Sequence, residues 1–383
     1  MKLDGVKVLD LSLFLPGPML TLMMADHGAD VIKVEPVGEG EPSRHIGLSI
    51  HGQTVWFRNT HRGKRSVQLD LKSAEGQAAF WALARDADVL VEAFRPGVVD
   101  RLGVGYQAVK AVNPGVVYCS ISAFGQTGPY RDRPAHDLAV EALAGLVALN
   151  EGQDGKPAMP GLMAADALAS LTALSGVLMA LLRREKTGQG DHLDVAMLDS
   201  LMAWTPNATG PVFAEHRANV PKAERSWGGA AMFNLYECSD ARWIVLGGSE
   251  VKFAANLLAA LGRSDLLDYA KLPPGPGQAP LRAFLRETFR TRTQAEWETW
   301  FEDRDVCFAP VRSLKAAFDD PAVAARGMMS RDAEGDAVVG TPLVFREEPG
   351  RVDPKAPGLD EHAGEGWRVL KPSPGGRGRD PRS

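Results

Sequence analysis

The stretch VKVLDLSLFLPGPMLTLMMADHGADVIKVE, residues 6–35, decides the fold. VKVLDLS (6–12) is an apolar run of strand length. Pro18 suits the opening of a helix, Met19 to His27 continues it, and Gly28 is a natural C-terminal stop. DVIKVE (30–35) is the next strand. Strand, helix, strand is a βαβ unit, which demands a parallel pair and a right-handed crossover.

The same alternation continues outward. SVQLDL (66–71) reads as strand, AEGQAAFWALARDA (74–87) as amphipathic helix, and DVLVEAF (88–94) and VVYCSIS (116–122) as buried strands. The pattern predicts an α/β, doubly wound domain. Helices are expected from about 137 to 149 and from about 165 to 186, the second closing at TGQG (187–190). HLDVAML (192–198) is then a strand. Beyond Pro206 the texture changes: MFNLYECSDARWIVLGG (232–248) alternates around Ser239 and Asp240 as an antiparallel hairpin does. Helices follow at roughly 251–262, 280–291 and 294–303. Residues 1–205 are thus expected to form a large domain, 206–325 a smaller α+β domain, and 326–370 a return to the large one. The Pro/Gly/Arg-rich tail, 371–383, reads as disordered.

Composition narrows the class. The 383 residues carry 43 Lys+Arg against 48 Asp+Glu, and this net charge of −5 argues against a nucleic-acid partner. No run reaches the roughly 18 uninterrupted apolar residues of a membrane span. Leu162 to Leu182 comes nearest, but Asp166, Ser170, Thr172 and Ser175 interrupt it. The N-terminus lacks the long apolar run of a signal peptide. Cys119, Cys238 and Cys307 lie far apart, with no CxxC or Cys/His cluster. They predict buried, reduced thiols in a cytoplasmic enzyme with no metal site.

The candidate chemistry is scattered. The first βα turn, LFLPGPM (13–19), holds only Gly17 where a dinucleotide site needs GxGxxG, and neither a P-loop nor a GxSxG elbow is present. Basic residues crowd at Arg58, His61, Arg62, Lys64 and Arg65, and Arg95 and Arg101 follow a predicted strand. Cations there suit a phosphate-rich ligand in the crevice of a parallel sheet; a solvated surface loop is the alternative. His136 sits where a helix begins, with Asp137 beside it as a possible N-cap. Asp166 and Glu250 also lie near helix starts, where a carboxylate is stabilised by the helix dipole and is often only a cap.

Taken in order, several segments resemble the family III CoA-transferase superfamily (CaiB/BaiF type), which includes α-methylacyl-CoA racemases and formyl-CoA transferases. They are LPGPMLTLMMADHGADVIKVEP (15–36), RGKRSVQLDLK (62–72), DVLVEAFRPGVVDRLG (88–103), FGQTGPY (124–130), AHDLAVEALAGL (135–146), REKTGQGDHLDVAML (184–198) and DVCFAPV (305–311). The resemblance runs from about residue 3 to 365. It implies a Rossmann-like large domain built from both termini, an inserted smaller domain, and an interlocked homodimer. It also implies an acyl-CoA substrate, with no cofactor beyond the CoA that the substrate carries.

By motif match, the CoA-binding positions are Leu69, Asp70, Leu71, Lys72, Ala93, Phe94, Arg95, Arg101, Arg133, Pro134 and Ala135. Pro36 stands where an arginine is common, and Arg62, Lys64 or Arg65 are the candidates to replace it. Asp166 matches the transferase nucleophile, which forms an acyl anhydride and then an enzyme–CoA thioester. In the racemases the same aspartate and a histidine matching His136 exchange an α-proton, with residues like Glu250 and Asp137 in support. His136, Glu250 and Asp137 favour a racemase-like enzyme acting on a 2-substituted acyl-CoA. Transfer of CoA between carboxylic acids is the alternative, and Ala167 to Ser170, where racemases carry a glycine-rich turn, speaks for it. A non-catalytic acyl-CoA-binding protein is the remote alternative.

Overall fold

The computed structural model describes residues 1–152 and 154–368, so the tail at 371–383 lies outside the described residues. The chain divides into two compact units. The first comprises Met1–Val140, Met163–Ala203 and the chain from Pro321 on; the second comprises Glu141–Leu162 and Trp204–Asp320. Residues 141–162, expected in the large domain, therefore belong to the second unit. The helix expected over 137–149 is also broken. It runs Asp137–Leu143, and a four-residue turn, Leu146–Leu149, follows Gly145, whose φ of 84° a side chain would oppose.

The first unit is built on a six-stranded sheet. Its strands are β1 (Lys7–Asp10), β2 (Asp30–Glu35), β3 (Arg65–Gln68), β4 (Val89–Glu92), β5 (Val117–Ser122) and β6 (Asp191–Ala196). All pairs are parallel, in the order β3-β2-β1-β4-β5-β6. This is the doubly wound order whose direction reverses between β1 and β4, and ligands of such sheets bind at that switch point. β2 is buried at every position, yet it contains Asp30, Lys33 and Glu35. Buried charges of this kind need partners, and all three find them on neighbouring elements.

Helix α1 (Pro16–Ala25) leads from β1 back to β2, with proline where an N–H would have no helical acceptor. Helix α2 is Val55–His61 and helix α3 is Ala74–Ala84. After Gly97, a one-turn helix α4 (Val98–Arg101) follows β4, and α5 is Tyr106–Val112. The Asp137–Leu143 helix is α6, and α7 is Ala164–Thr187, closed by Gly188 in the left-handed conformation. The buried face of α7 reads Ala165, Ala169, Ser170, Ala173, Leu174, Val177 and Leu181, a helical spacing. Its other face leaves Leu171, Leu178, Met179 and Leu182 exposed. Among the described residues it is the one helix long and apolar enough to cross a membrane, and its buried face packs on α1, β5 and β6. The C-terminal segment covers the edge strand β3, the His362 amide donating to the Ser66 carbonyl and the Trp367 indole to Leu83.

The second unit holds the expected hairpin, β7 (Phe233–Glu237) with β8 (Trp243–Gly247), joined by β9 (Phe308–Pro310), all antiparallel. Tyr236, Ile244 and Leu246 face a core shared with α8 (Val251–Ala260), α9 (Ala279–Phe289) and α10 (Gln294–Phe301). Cys119 and Cys238 are buried as expected, but Cys307 is exposed beside β9.

Candidate active site

The turn between β1 and α1 lies at the switch point. Its stem is tied to a buried cage of four charges: Asp10, Lys33, Lys64 and Glu41. Asp10 accepts from the Ser12 amide at 2.9 Å, from Ser12 Oγ at 2.5 Å, from Thr21 Oγ1 at 2.6 Å and from Lys64 Nζ at 3.1 Å. Lys33 Nζ donates to the Ser12 carbonyl and stands 3.7 Å from both Asp10 and Glu41. Two cations against two anions make the cage neutral, which is how charges survive without water. Lys33 and Lys64 hold the Asp10 carboxyl well below its usual range against the opposing effect of burial. Burial pulls the Lys64 ammonium down to about 8.

The tip of that turn is Phe14, with φ of 64°. This left-handed conformation costs a non-glycine residue about 1–2 kcal/mol. The Phe14 amide donates to Glu41 Oε1 at 2.8 Å. Gly17 is required a few residues on, because a Cβ there would lie 2.1 Å from Ser12. Of the turn and its cage only Lys64 stands out in the sequence, and there as a phosphate-binding cation rather than a partner of Asp10; Lys33, one lysine inside an apolar strand, is a visible irregularity.

His136 meets this turn. Its ring stands edge-on to Phe14, with centroids 5.6 Å apart. It is exposed otherwise. Asp137 is the first residue of α6 rather than its N-cap, and its Oδ1 accepts the backbone N–H of Asp166 at 3.0 Å. It therefore satisfies a free amide of a different helix, α7. Asp166 is in the first turn of α7, half-buried. One turn later, Ser170 Oγ bonds the Asp166 carbonyl at 2.9 Å and the Pro16 carbonyl at 2.7 Å. Within the first unit, Phe14 thus touches His136, Asp137 bonds Asp166, and Ser170 joins Asp166 to Pro16. Glu250 is the exposed N-cap residue of α8 in the second unit and makes no side-chain capping bond.

The candidate CoA positions follow the C-terminal ends of β3, β4 and β5. Leu69 and Leu71 turn to the core, which leaves Asp70 and Lys72 exposed. Ala93 and Phe94 are half-buried and Arg95 is exposed. Gly97 takes φ of 81°, and guanidinium nitrogens of Arg101 and Arg131 both lie 3.4 Å from where its Cβ would be. Arg131 was not singled out in the sequence; it joins Arg101 only through the fold. Arg133, Pro134 and Ala135 precede His136, with the Arg133 guanidinium over Tyr130 at 5.3 Å.

The crowded basic block is neither a phosphate site nor a solvated loop. Arg58 pairs with Asp332 and Asp336, Arg62 with Asp26, Lys64 with Asp10 and Arg65 with Asp30, all of these cations being buried. His61 is buried and stacked on Phe57, and burial with nearby cations holds it well below its usual range. None of these is free to replace the arginine absent at Pro36. Glu92, also not foreseen, ends β4 and accepts from the Phe94 amide at 2.8 Å. Burial pushes its carboxyl up to about 7. Among the described residues, no group of three or more His, Cys, Asp or Glu could hold a metal.

The family model for CoA-transferase family III matches residues 3–363. A succinyl-CoA–D-citramalate CoA-transferase from Chloroflexus aurantiacus is 31% identical, over 94% of this chain and 92% of its own. An acetyl-CoA:oxalate CoA-transferase from Acetobacter aceti is 32% identical, over 94% and 93%. A succinate–glutarate CoA-transferase from Agrobacterium fabrum is 31% identical, over 94% and 93%. A crystal structure of a CAIB/BAIF family protein from Brucella suis superposes with a TM-score of 0.82 at 30% identity, covering 94% of this chain and 97% of that one.

Proposed function

Because the chain belongs to CoA-transferase family III, we propose that it moves CoA between two carboxylic acids, with Asp166 as the nucleophile. The observation that carries this reading is the near-full-length likeness to relatives named as CoA-transferases. It favours transfer over the racemase-like α-proton exchange that His136, Glu250 and Asp137 suggested. Those relatives are named for citramalate, oxalate, succinate and glutarate, so dicarboxylic acids are the proposed substrate class.

The chemistry balances as follows. The Asp166 carboxylate attacks the thioester carbonyl, forming an acyl anhydride and expelling the CoA thiolate. The thiolate attacks the Asp166 carbonyl of the anhydride, giving an enzyme–CoA thioester and releasing the first acid. An acceptor carboxylate attacks that thioester, expelling the CoA thiolate and forming a second anhydride; the thiolate then attacks the acceptor carbonyl of this anhydride, giving the new acyl-CoA with the Asp166 carboxylate as leaving group. Asp137 fixes the first turn of α7, which carries the nucleophile, through the Asp166 amide. No step requires a proton base, so Glu250 is given no role in it. His136 is assigned to packing beside the nucleophile's turn.

CoA is placed along Asp70, Lys72, Ala93 to Arg95, Arg101 and Arg133 to Ala135, with Arg131 added beside Arg101. The exposed apolar stripe of α7 supports the expected homodimer, since patches of this kind mark association surfaces. The setting proposed is the cytoplasm. The test is mass spectrometry of succinyl-CoA incubated with enzyme in D2O, with and without glutarate, oxalate and other acids. A new CoA ester only when an acid is added, with no α-deuterium, is expected. An α-deuteron gained without acceptor, and no new ester, overturns the reading.

A further inference from the structure

We propose that Glu41 is a positioning residue for this reaction, a buried carboxylate that holds the β1–α1 turn, through the Phe14 amide, in the conformation that seats His136 and the first turn of α7. The inference rests on Asp166 being the nucleophile.

The turn is held at several points with different consequences. Asp10 and Lys33 grip Ser12, and Lys64 Nζ donates to the Pro18 carbonyl at 2.9 Å. These fix the two ends. Glu41 reaches the tip, where it takes the amide of Phe14, the residue of the turn in the left-handed region. A phenylalanine keeps such a conformation only where its surroundings impose it, and strain of this sort concentrates at functional sites. The same tip carries the ring against His136, and the next residue but one gives Ser170 its carbonyl beneath Asp166.

Glu41 is itself rigidly placed. Its backbone N–H donates to Glu35 Oε2 at 2.8 Å, and Glu35 is gripped by Arg44 at 2.7 Å and Ser66 at 2.6 Å. Glu41 and Glu35 have no exposure to speak of, so neither can touch a substrate. A carboxylate buried only for stability would leave the reaction rate alone once the protein is folded. One that sets the turn would change the acylation step and spare CoA binding.

The test uses the full chain as wild type, Glu41→Gln, Glu41→Asp, Phe14→Gly and the Glu41→Gln/Phe14→Gly double variant. Each is mixed with succinyl-CoA without acceptor, and the CoA adduct on Asp166 is followed by rapid-quench mass spectrometry; the Kd for free CoA is measured by calorimetry. Glu41→Gln is expected to slow adduct formation at least about ten-fold while the Kd is unchanged. The double variant is expected to be no slower than the slower single one, since both changes act through one turn. Adduct formation at the wild-type rate in Glu41→Gln, or slowing that multiplies in the double variant, overturns the proposal. If Glu41→Gln does not fold, Glu41→Asp decides. It keeps the charge beside Lys33 but withdraws from the Phe14 amide, so slowing is expected and a wild-type rate overturns the idea. Absence of any adduct in the wild type would instead overturn the role of Asp166.

Discussion

Glu92 should make the stability of the protein fall as pH rises through neutrality. It is 2% exposed at the end of β4, and burial is the main cause of its raised carboxyl, with Asp100 and Asp194 adding to it. The folded value is about 7 against an ordinary 4.5. Between these values the native state binds the proton and the unfolded chain does not, so the native state is favoured at low pH. The contribution is fully present below the unfolded value and is lost as pH rises through the folded one. At about 1.36 kcal/mol per pKa unit, the full linkage is about 3 kcal/mol, of which about 2 kcal/mol disappears between pH ~5.5 and ~8.5. Glu92→Gln imitates the protonated form and keeps an acceptor for the Phe94 amide. Urea unfolding of wild type and variant across that range is the assay. The variant should gain about 2 kcal/mol on the wild type from the acid end to the alkaline end. Parallel pH profiles would refute the assignment of a neutral, buried Glu92.

The cage, the helix stripe and the histidine give three more tests. Asp10→Asn removes the carboxylate that neutralises Lys64 and part of Lys33, and should cost about 3–5 kcal/mol in chemical unfolding. Leu182→Arg on the exposed face of α7 should lower the dimer fraction in sedimentation velocity without lowering helix content; an unchanged dimer fraction would remove that stripe from the interface. His136→Ala should reduce steady-state transfer by less than about ten-fold, against the 10²–10⁴ expected of a general base.

The parallel sheet was readable because its strands are short, buried, apolar runs separated by helical periods. DVIKVE is a strand in both readings. What Lys33 does inside it was not readable, since its partners Asp10, Ser12 and Glu41 come from other elements. The block from Arg58 to Arg65 misled for the same reason. A dense basic run looks like a cationic surface, but its carboxylate partners at 10, 26, 30, 332 and 336 are far away in the chain. Asp166 stands out from the other helix-start carboxylates only through the family resemblance, and Asp137, by position a possible cap of its own helix, serves α7. Arg131 and Phe14 carry no local signal at all. Their interest lies in a shared position beside Gly97 and in a backbone angle, neither of which a sequence displays.

The most direct test of the account is whether Asp166 carries CoA. Enzyme mixed with succinyl-CoA and no acceptor, digested and analysed by mass spectrometry, should yield the α7 peptide with CoA joined to Asp166 as a thioester that hydroxylamine releases. The adduct should be missing from Asp166→Asn. An enzyme that turns over without such an adduct, or an adduct that persists in Asp166→Asn, would contradict it.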